Sequence, residues 1–348
     1  MNSAFSEETW VLAPGCSYSR QWLCFASRRV RQLPLTSFPV LDSQVMLPHS
    51  ALLTGRRIRG GSLFSDPIDV YINADLGTLG AGVIGSTSNV LLQGSYNLIA
   101  GAMVSDASDE LNNGIVGALP TAAQFSAYVP SGVTLGPNIV LSKANAKALG
   151  FGGLDAAFGA ADATITFNSG FGFDYDKSDG VTGIDFESVA LHEIGHSLGF
   201  ISSVDFIDTL PQPLVVNVFP LDLFRFNIAN TPSNAAAFTS TPRELRPGQT
   251  SVTSDTSNSW LMSTGVAHGD GRQASHWKDN AFTGILIGAL DPNISYGETF
   301  SLSSADIRAL DLIGWDVQSV PEPGTLVLFS AGFAGLVWKR RHGRRYPQ

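Results

Sequence analysis

The segment Ile184-Asp-Phe-Glu-Ser-Val-Ala-Leu-His-Glu-Ile-Gly-His-Ser-Leu-Gly199 places two histidines four residues apart, His192 and His196, with an acid, Glu193, between them. Asp185 is a good helix N-cap and Gly199 a good stop, so the segment predicts one helix across the motif. Positions i and i+4 of a helix share a face about 5.4 Å apart along the axis. Both imidazoles can then address a single metal ion, and Glu193 projects beside them as a base for a water molecule. Two histidines do not complete a catalytic zinc site, which needs three protein ligands and an open position. The chain has six histidines. His342 lies in a basic tail and His49 in an irregular N-terminal region, which leaves His268 and His276. Asp205 is an oxygen donor close after the motif.

The surrounding composition narrows the class. The chain has 348 residues, 44% hydrophobic and 15% charged, enough for one large domain or two ordinary ones. Low charge with much Gly, Ser, Asn and Thr fits a secreted bacterial protein better than a cytosolic enzyme. The net charge of −9 is uneven. Residues 1–60 hold seven Arg against three acids, and the last ten residues hold five bases and no acid. The body, 61–338, has 9 bases and 27 acids, and a surface that acidic repels phosphate backbones, so nucleic acid is excluded as a partner. Cys16 and Cys24 are the only cysteines, so the body must be stable without disulfides and any metal in it is held without thiolate.

Three regions follow from the pattern along the chain. Residues 1–61 lack clean periodicity and a readable signal peptide, and read as a disordered extension or an incorrectly assigned start. Residues 62–317 read as the folded domain. Strands are expected at Ile68–Asn73, Asn138–Ser142 and Ala163–Asn168, and short helices at 105–112, 120–128 and Lys143–Leu149. Thr164–Asn168 is a candidate edge strand for an extended peptide, or an ordinary sheet strand. Some seventy residues after Gly199 read as having little regular structure. A last helix is expected over Ser304–Ile313, capped by Ser303 with Asp306 three residues on and closed by Gly314. Asp174, Asp176 and Asp179 offer weak support for calcium, because the glycine offset is wrong for an EF-hand, and a solvated turn is the preferred reading.

Residues 318–348 form a tail. Val320-Pro-Glu-Pro-Gly324 precedes an uncharged apolar run of fourteen residues, 325–338, and then Lys339-Arg-Arg-His-Gly-Arg-Arg345. As a helix the run would be about 21 Å long, short for a bilayer core of about 30 Å, but its terminal place and basic flank favour a membrane-inserted segment. The tail resembles the PEP-CTERM sorting signal of Gram-negative bacteria. That resemblance implies export, recognition by an exosortase-type enzyme, transient anchoring through one transmembrane helix, and delivery to the envelope or an exopolysaccharide-associated matrix.

A second resemblance bears on the third ligand. Metzincin peptidases continue the motif as His-Glu-x-x-His-x-x-Gly-x-x-His. Here Gly199 keeps its offset, but the ligand position is Ser202, a poor neutral ligand. Leishmanolysin-type peptidases carry His-Glu-x-x-His-x-x-Gly-Phe, an insertion, and then Ser-His-Trp. This chain has the same order, ending the first part at Phe200 and resuming with Ser275-His-Trp277. From about Asp66 to Val317 it is similar to bacterial PEP-CTERM metalloproteases, with Leu221-Asp-Leu-Phe-Arg-Phe226, Gly269–Asp279 and Asp306–Trp315 among the shared segments. The resemblance implies an α+β, metzincin-like zinc peptidase domain with a mixed sheet, a central motif helix and a loop-rich C-terminal subdomain. It implies zinc on His192, His196 and His276, with Asp205 the alternative third ligand, and Glu193 as catalytic base. Where metzincins place a methionine beneath the metal, the best-matching turn, Gly288–Pro292, offers Leu290, of similar volume.

The expected function is a secreted or envelope-associated zinc metalloendopeptidase acting on protein or peptide. The alternatives are a non-catalytic matrix or surface protein on the same scaffold and a zinc hydrolase of amide bonds outside proteins. A scaffold has no need of Glu193, which favours catalysis.

Overall fold

The computed structural model of the protein describes residues 63–317, except 111 and 112, and two short strands nearer the N-terminus, Val11–Leu12 and Gln32–Leu35. In chain order the elements that build the site are β1 (Val70–Gly77), β2 (Gly85–Asn89), β3 (Leu91–Ser95), α1 (Tyr96–Asp106), β4 (Val133–Ser142), α2 (Lys143–Ala148) and β5 (Ala163–Asn168). They continue with α3 (Phe186–Ser197), α4 (Val204–Thr209), β6 (Leu214–Val218), β7 (Arg225–Asn227), β8 (Ser251–Ser254), β9 (Ser259–Met262) and α5 (Ser304–Leu312). The architecture is mixed α+β, made of small sheets and few, short helices.

One four-stranded sheet runs Gln32–Leu35, β1, β5, β2, with β5 parallel to β1 and antiparallel to β2. A second runs Val11–Leu12, β3, β4, β6, and β7, β8 and β9 form an antiparallel sheet of three. β5 is the strand expected over Ala163–Asn168, with Ala163, Ile165 and Phe167 buried on one face. Its position is that of an ordinary inner strand, the second of the two readings. β5 lies between β1 and β2, with its hydrogen-bonding edges occupied on both sides, and β2 is an outer strand. Pairing partners come from other parts of the chain, so no local pattern reveals which strand is outermost.

Two helix expectations shift. The helix expected at 105–112 is α1, over 96–106, started by Ser95, whose hydroxyl accepts from the Leu98 amide at 3.3 Å. Tyr96, Ile99, Ala100 and Met103 bury one face at helical spacing. A preceding Gly-Ser pair disguised that start as loop. No helix forms over 120–128, where turns lead to the short strand Ala127–Tyr128. The seventy residues after Gly199 are also more ordered than their Pro, Ser and Asn content predicts, since α4, β6, β7, β8 and β9 all fall there. Their strands are three to five residues long and several polar side chains in them are buried, so hydrophobic periodicity is weak. α5 has the expected capping box: Ser303 accepts from the Ala305 and Asp306 amides, and Asp306 accepts from the Ser303 amide.

The C-terminal end of this unit is pinned among carboxyl groups. The Ser65 amide donates to the Asp316 carbonyl at 2.8 Å, and the Asp316 amide donates to Asp66 Oδ2 at 3.1 Å. Burial, then the charge of Asp316, raises Asp66 to about 7. Burial, then Asp316, Asp66 and Asp311, raises Asp106 to about 7. A carboxyl raised when folded contributes stability that is complete below its unfolded pKa and is lost as pH rises through its folded one. Between about pH 7, above the unfolded histidine pKa of about 6.5, and pH 8 the melting temperature is expected to fall. Asp66→Asn should flatten that slope in thermal unfolding; an unchanged slope contradicts the assignment.

Val317–Gln348 forms a second unit. Its tail residues lie outside the described residues, and with them the expected hydrophobic helix at 325–338 and His342. The expected disorder of 1–61, apart from the two short strands, and Cys16, Cys24 and His49 also lie outside. Among the described residues no helix is long and apolar enough to cross a membrane.

Candidate metal centre

α3 begins at Asp185, whose side chain accepts from the Ser188 amide at 3.1 Å, a cap worth about 1 kcal/mol. It ends as Gly199 takes a positive φ of 112°. A side chain at 199 would meet both Asn145 and Ile313 at 3.2 Å, so this turn needs glycine. The turn sends Phe200 into the core, fully buried and edge-on to Trp277 at 4.8 Å between ring centroids.

The helix presents His192 and His196 together, and a loop brings His276 to them from eighty residues further along. The three Nε2 atoms form a near-equilateral triangle: His192 to His196 is 3.1 Å, His192 to His276 is 3.1 Å, and His196 to His276 is 3.2 Å. Every Nδ1 faces a backbone carbonyl, Ala289 at 2.9 Å for His192, Phe200 at 2.9 Å for His196 and Gln273 at 3.1 Å for His276. A carbonyl can only accept, so each neutral ring keeps its proton on Nδ1 and turns the Nε2 lone pair inward. Burial, then the neighbouring rings, lowers all three histidines to about 3, so the rings are neutral at ordinary pH. Three converging lone pairs repel one another unless a cation lies between them. Tetrahedral nitrogen donors on zinc at 2.0–2.1 Å stand about 3.3–3.4 Å apart, close to this triangle. The residues present therefore fit a zinc ion. Among the described residues this is the one group of three or more metal-ligand side chains brought together.

The other candidates lie elsewhere in the fold. Asp205, the alternative ligand, grips the loop that carries His276. Its Oδ1 accepts from the Ala274 amide at 2.5 Å, and its Oδ2 from the Ser275 amide at 3.0 Å and hydroxyl at 2.5 Å. Ser202 is fully buried; its amide donates to the Ser275 hydroxyl and its own hydroxyl to Asp222. His268 pairs with Asp208, its side chain 74% exposed and outside the histidine group. Asp174 and Asp176 spend carboxylate oxygens on the amides of Asp176, Thr182 and Ser178.

Two residues outside the ligand set stand out. Asp306, fully buried, accepts from the Trp277 indole at 2.7 Å and from the Ala289 amide at 2.8 Å. It thereby ties the His276 loop to the carbonyl that orients His192. The spacing Ser303–Asp306 exposed its capping role but not this second one. Leu290, also buried, lies directly under α3: a Cβ on Gly195 would meet its Cδ2 at 2.9 Å.

Glu193 is 5% exposed and stands outside the ligand triangle. Its carboxylate faces β2, where the Thr87 hydroxyl donates to Oε2 at 2.6 Å. Burial raises it to about 7, and the Thr87 hydrogen bond works in the opposite direction.

Comparison with known proteins bears on the tail. Residues 319–341 match the PEP-CTERM protein-sorting motif. The chain thus carries a signal for export and envelope-associated localisation in bacteria, recognised by an exosortase-type sorting enzyme. No curated protein and no solved structure matches the chain.

Proposed function

We propose that the chain is an exported zinc-dependent metalloendopeptidase with a metzincin-like catalytic domain over residues 62–317. The observation that carries this reading is the histidine triangle, its Nδ1 protons held by carbonyls, with Glu193 on the same helix outside the ligand set. His192, His196 and His276 would hold the ion. A three-imidazole set with an open fourth position suits catalytic zinc, which acts as a Lewis acid on a carbonyl and lowers the pKa of water to about 7. Glu193 takes the proton of the attacking water and returns it to the leaving amine. An extended peptide pairs along β2, an outer strand of its sheet, which brings the scissile carbonyl to the end of α3 where the triangle lies.

The test is metal removal. The full-length protein is expected to hold one zinc per chain by elemental analysis and to hydrolyse casein. A chelator should abolish the hydrolysis, and added zinc should restore it. Hydrolysis indifferent to chelator, or no zinc above background, overturns the reading.

A further inference from the structure

We propose that Thr87 is a positioning residue for Glu193, and that Gly85 on the same face of β2 holds open the space the carboxylate occupies. The inference rests on the peptidase reading of Glu193 and adds to it the element that aims the base. Residues 85, 87 and 89 alternate onto the face of β2 that lies on α3. Each touches the motif helix in its own way. A Cβ at Gly85 would overlap Glu193 Oε1 and come within 2.9 Å of its Cγ, so any side chain there displaces the acid. The Thr87 hydroxyl stands 2.6 Å from Glu193 Oε2 and 2.9 Å from the Glu193 carbonyl. The Asn89 side-chain Nδ2 donates to the His196 carbonyl at 3.2 Å.

A hydroxyl has one proton to give, and the carboxylate is both the nearer and the stronger acceptor. The 2.6 Å separation lies in the range of a charge-assisted bond. Thr87 is 8% exposed, so water does not compete freely for it. Glutamate has three rotatable side-chain bonds, and a base must come within about 2.6–3.2 Å of the proton it takes. Without the hydroxyl the carboxylate is free to swing, and a misplacement of about 1 Å costs on the order of 10²-fold in rate. Because β2 is also an outer strand, one element fixes the base and offers an edge for the peptide.

Four full-length, zinc-loaded proteins test this: wild type, Thr87→Val, Thr87→Ser and Gly85→Ala. Thr87→Val keeps the shape and removes the hydroxyl. Its kcat on casein is expected to fall about 10–100-fold, the usual cost of losing an outer partner, with KM and zinc stoichiometry unchanged. Thr87→Ser should restore kcat. Gly85→Ala should lower kcat with the hydroxyl intact, which keeps the proposal testable if Thr87→Val fails to fold. Crystal structures of the four supply a readout independent of turnover: the Glu193 carboxylate should stay on β2 in wild type and Thr87→Ser and leave it in the other two. An unmoved carboxylate, or an unchanged kcat in either of those two, overturns the proposal. A wild type that binds zinc and cleaves nothing, with the carboxylate still displaced in those variants, removes the peptidase reading and leaves the positioning role standing.

Discussion

Glu193→Gln is expected to keep one zinc per chain and lose about 10²–10⁴-fold in casein hydrolysis, the range that general base catalysis contributes. The substitution is nearly isosteric. Its amide oxygen can still accept the Thr87 hydrogen bond, so α3 and β2 stay together. The carboxylate stands outside the group of ligand atoms, so metal retention follows from geometry. What disappears is the ability to take a proton. Burial lifts Glu193 to about 7, which suits a base working near neutrality. Elemental analysis and hydrolysis on the same preparation check both halves, and activity within about threefold of wild type excludes Glu193 as the base.

His276→Ala is expected to lose both metal and hydrolysis while the domain remains folded. Removing one of three nitrogen donors should weaken zinc binding by more than the 10–100-fold that losing an outer partner costs. The loop itself does not depend on the ring. Asp205 holds the Ala274 and Ser275 amides, and Asp306 holds the Trp277 indole. Circular dichroism and thermal unfolding should therefore resemble those of chelator-treated wild type, with zinc titration showing the loss. A variant that still binds one zinc tightly would move the third ligand elsewhere and break the triangle argument.

Legibility differed sharply between elements. The helix over 186–197 and its two ends could be read because capping and i, i+4 spacing are local properties. α5 was readable for the same reason, down to its Ser303–Asp306 box. α1 was displaced because its start follows Gly94 and Ser95, and that pair looks like loop until the helix is seen. The sheets after Gly199 were missed because their short strands bury hydroxyl and charged groups, such as Ser251, Thr253 and Arg225, that leave no apolar alternation. The role of Asp205 was open for a different reason. An acid near a metal motif can be a ligand or a loop clamp, and only its partners distinguish the two.

The amino-acid sequence alone determined the paired histidines with their intervening acid, the helix that displays them and the sorting motif at the C-terminus. Each is written in residues adjacent along the chain, where the backbone period or a contiguous motif supplies the geometry. The tertiary structure alone decided that His276 closes the triangle, that Asp205 and Asp306 hold its loop, and that β2 rather than β5 is the outer strand facing Glu193. Those relations join residues tens to more than a hundred positions apart. They are set by which strands pair and which loops buried carboxylates tie down, and no period in the chain encodes that choice.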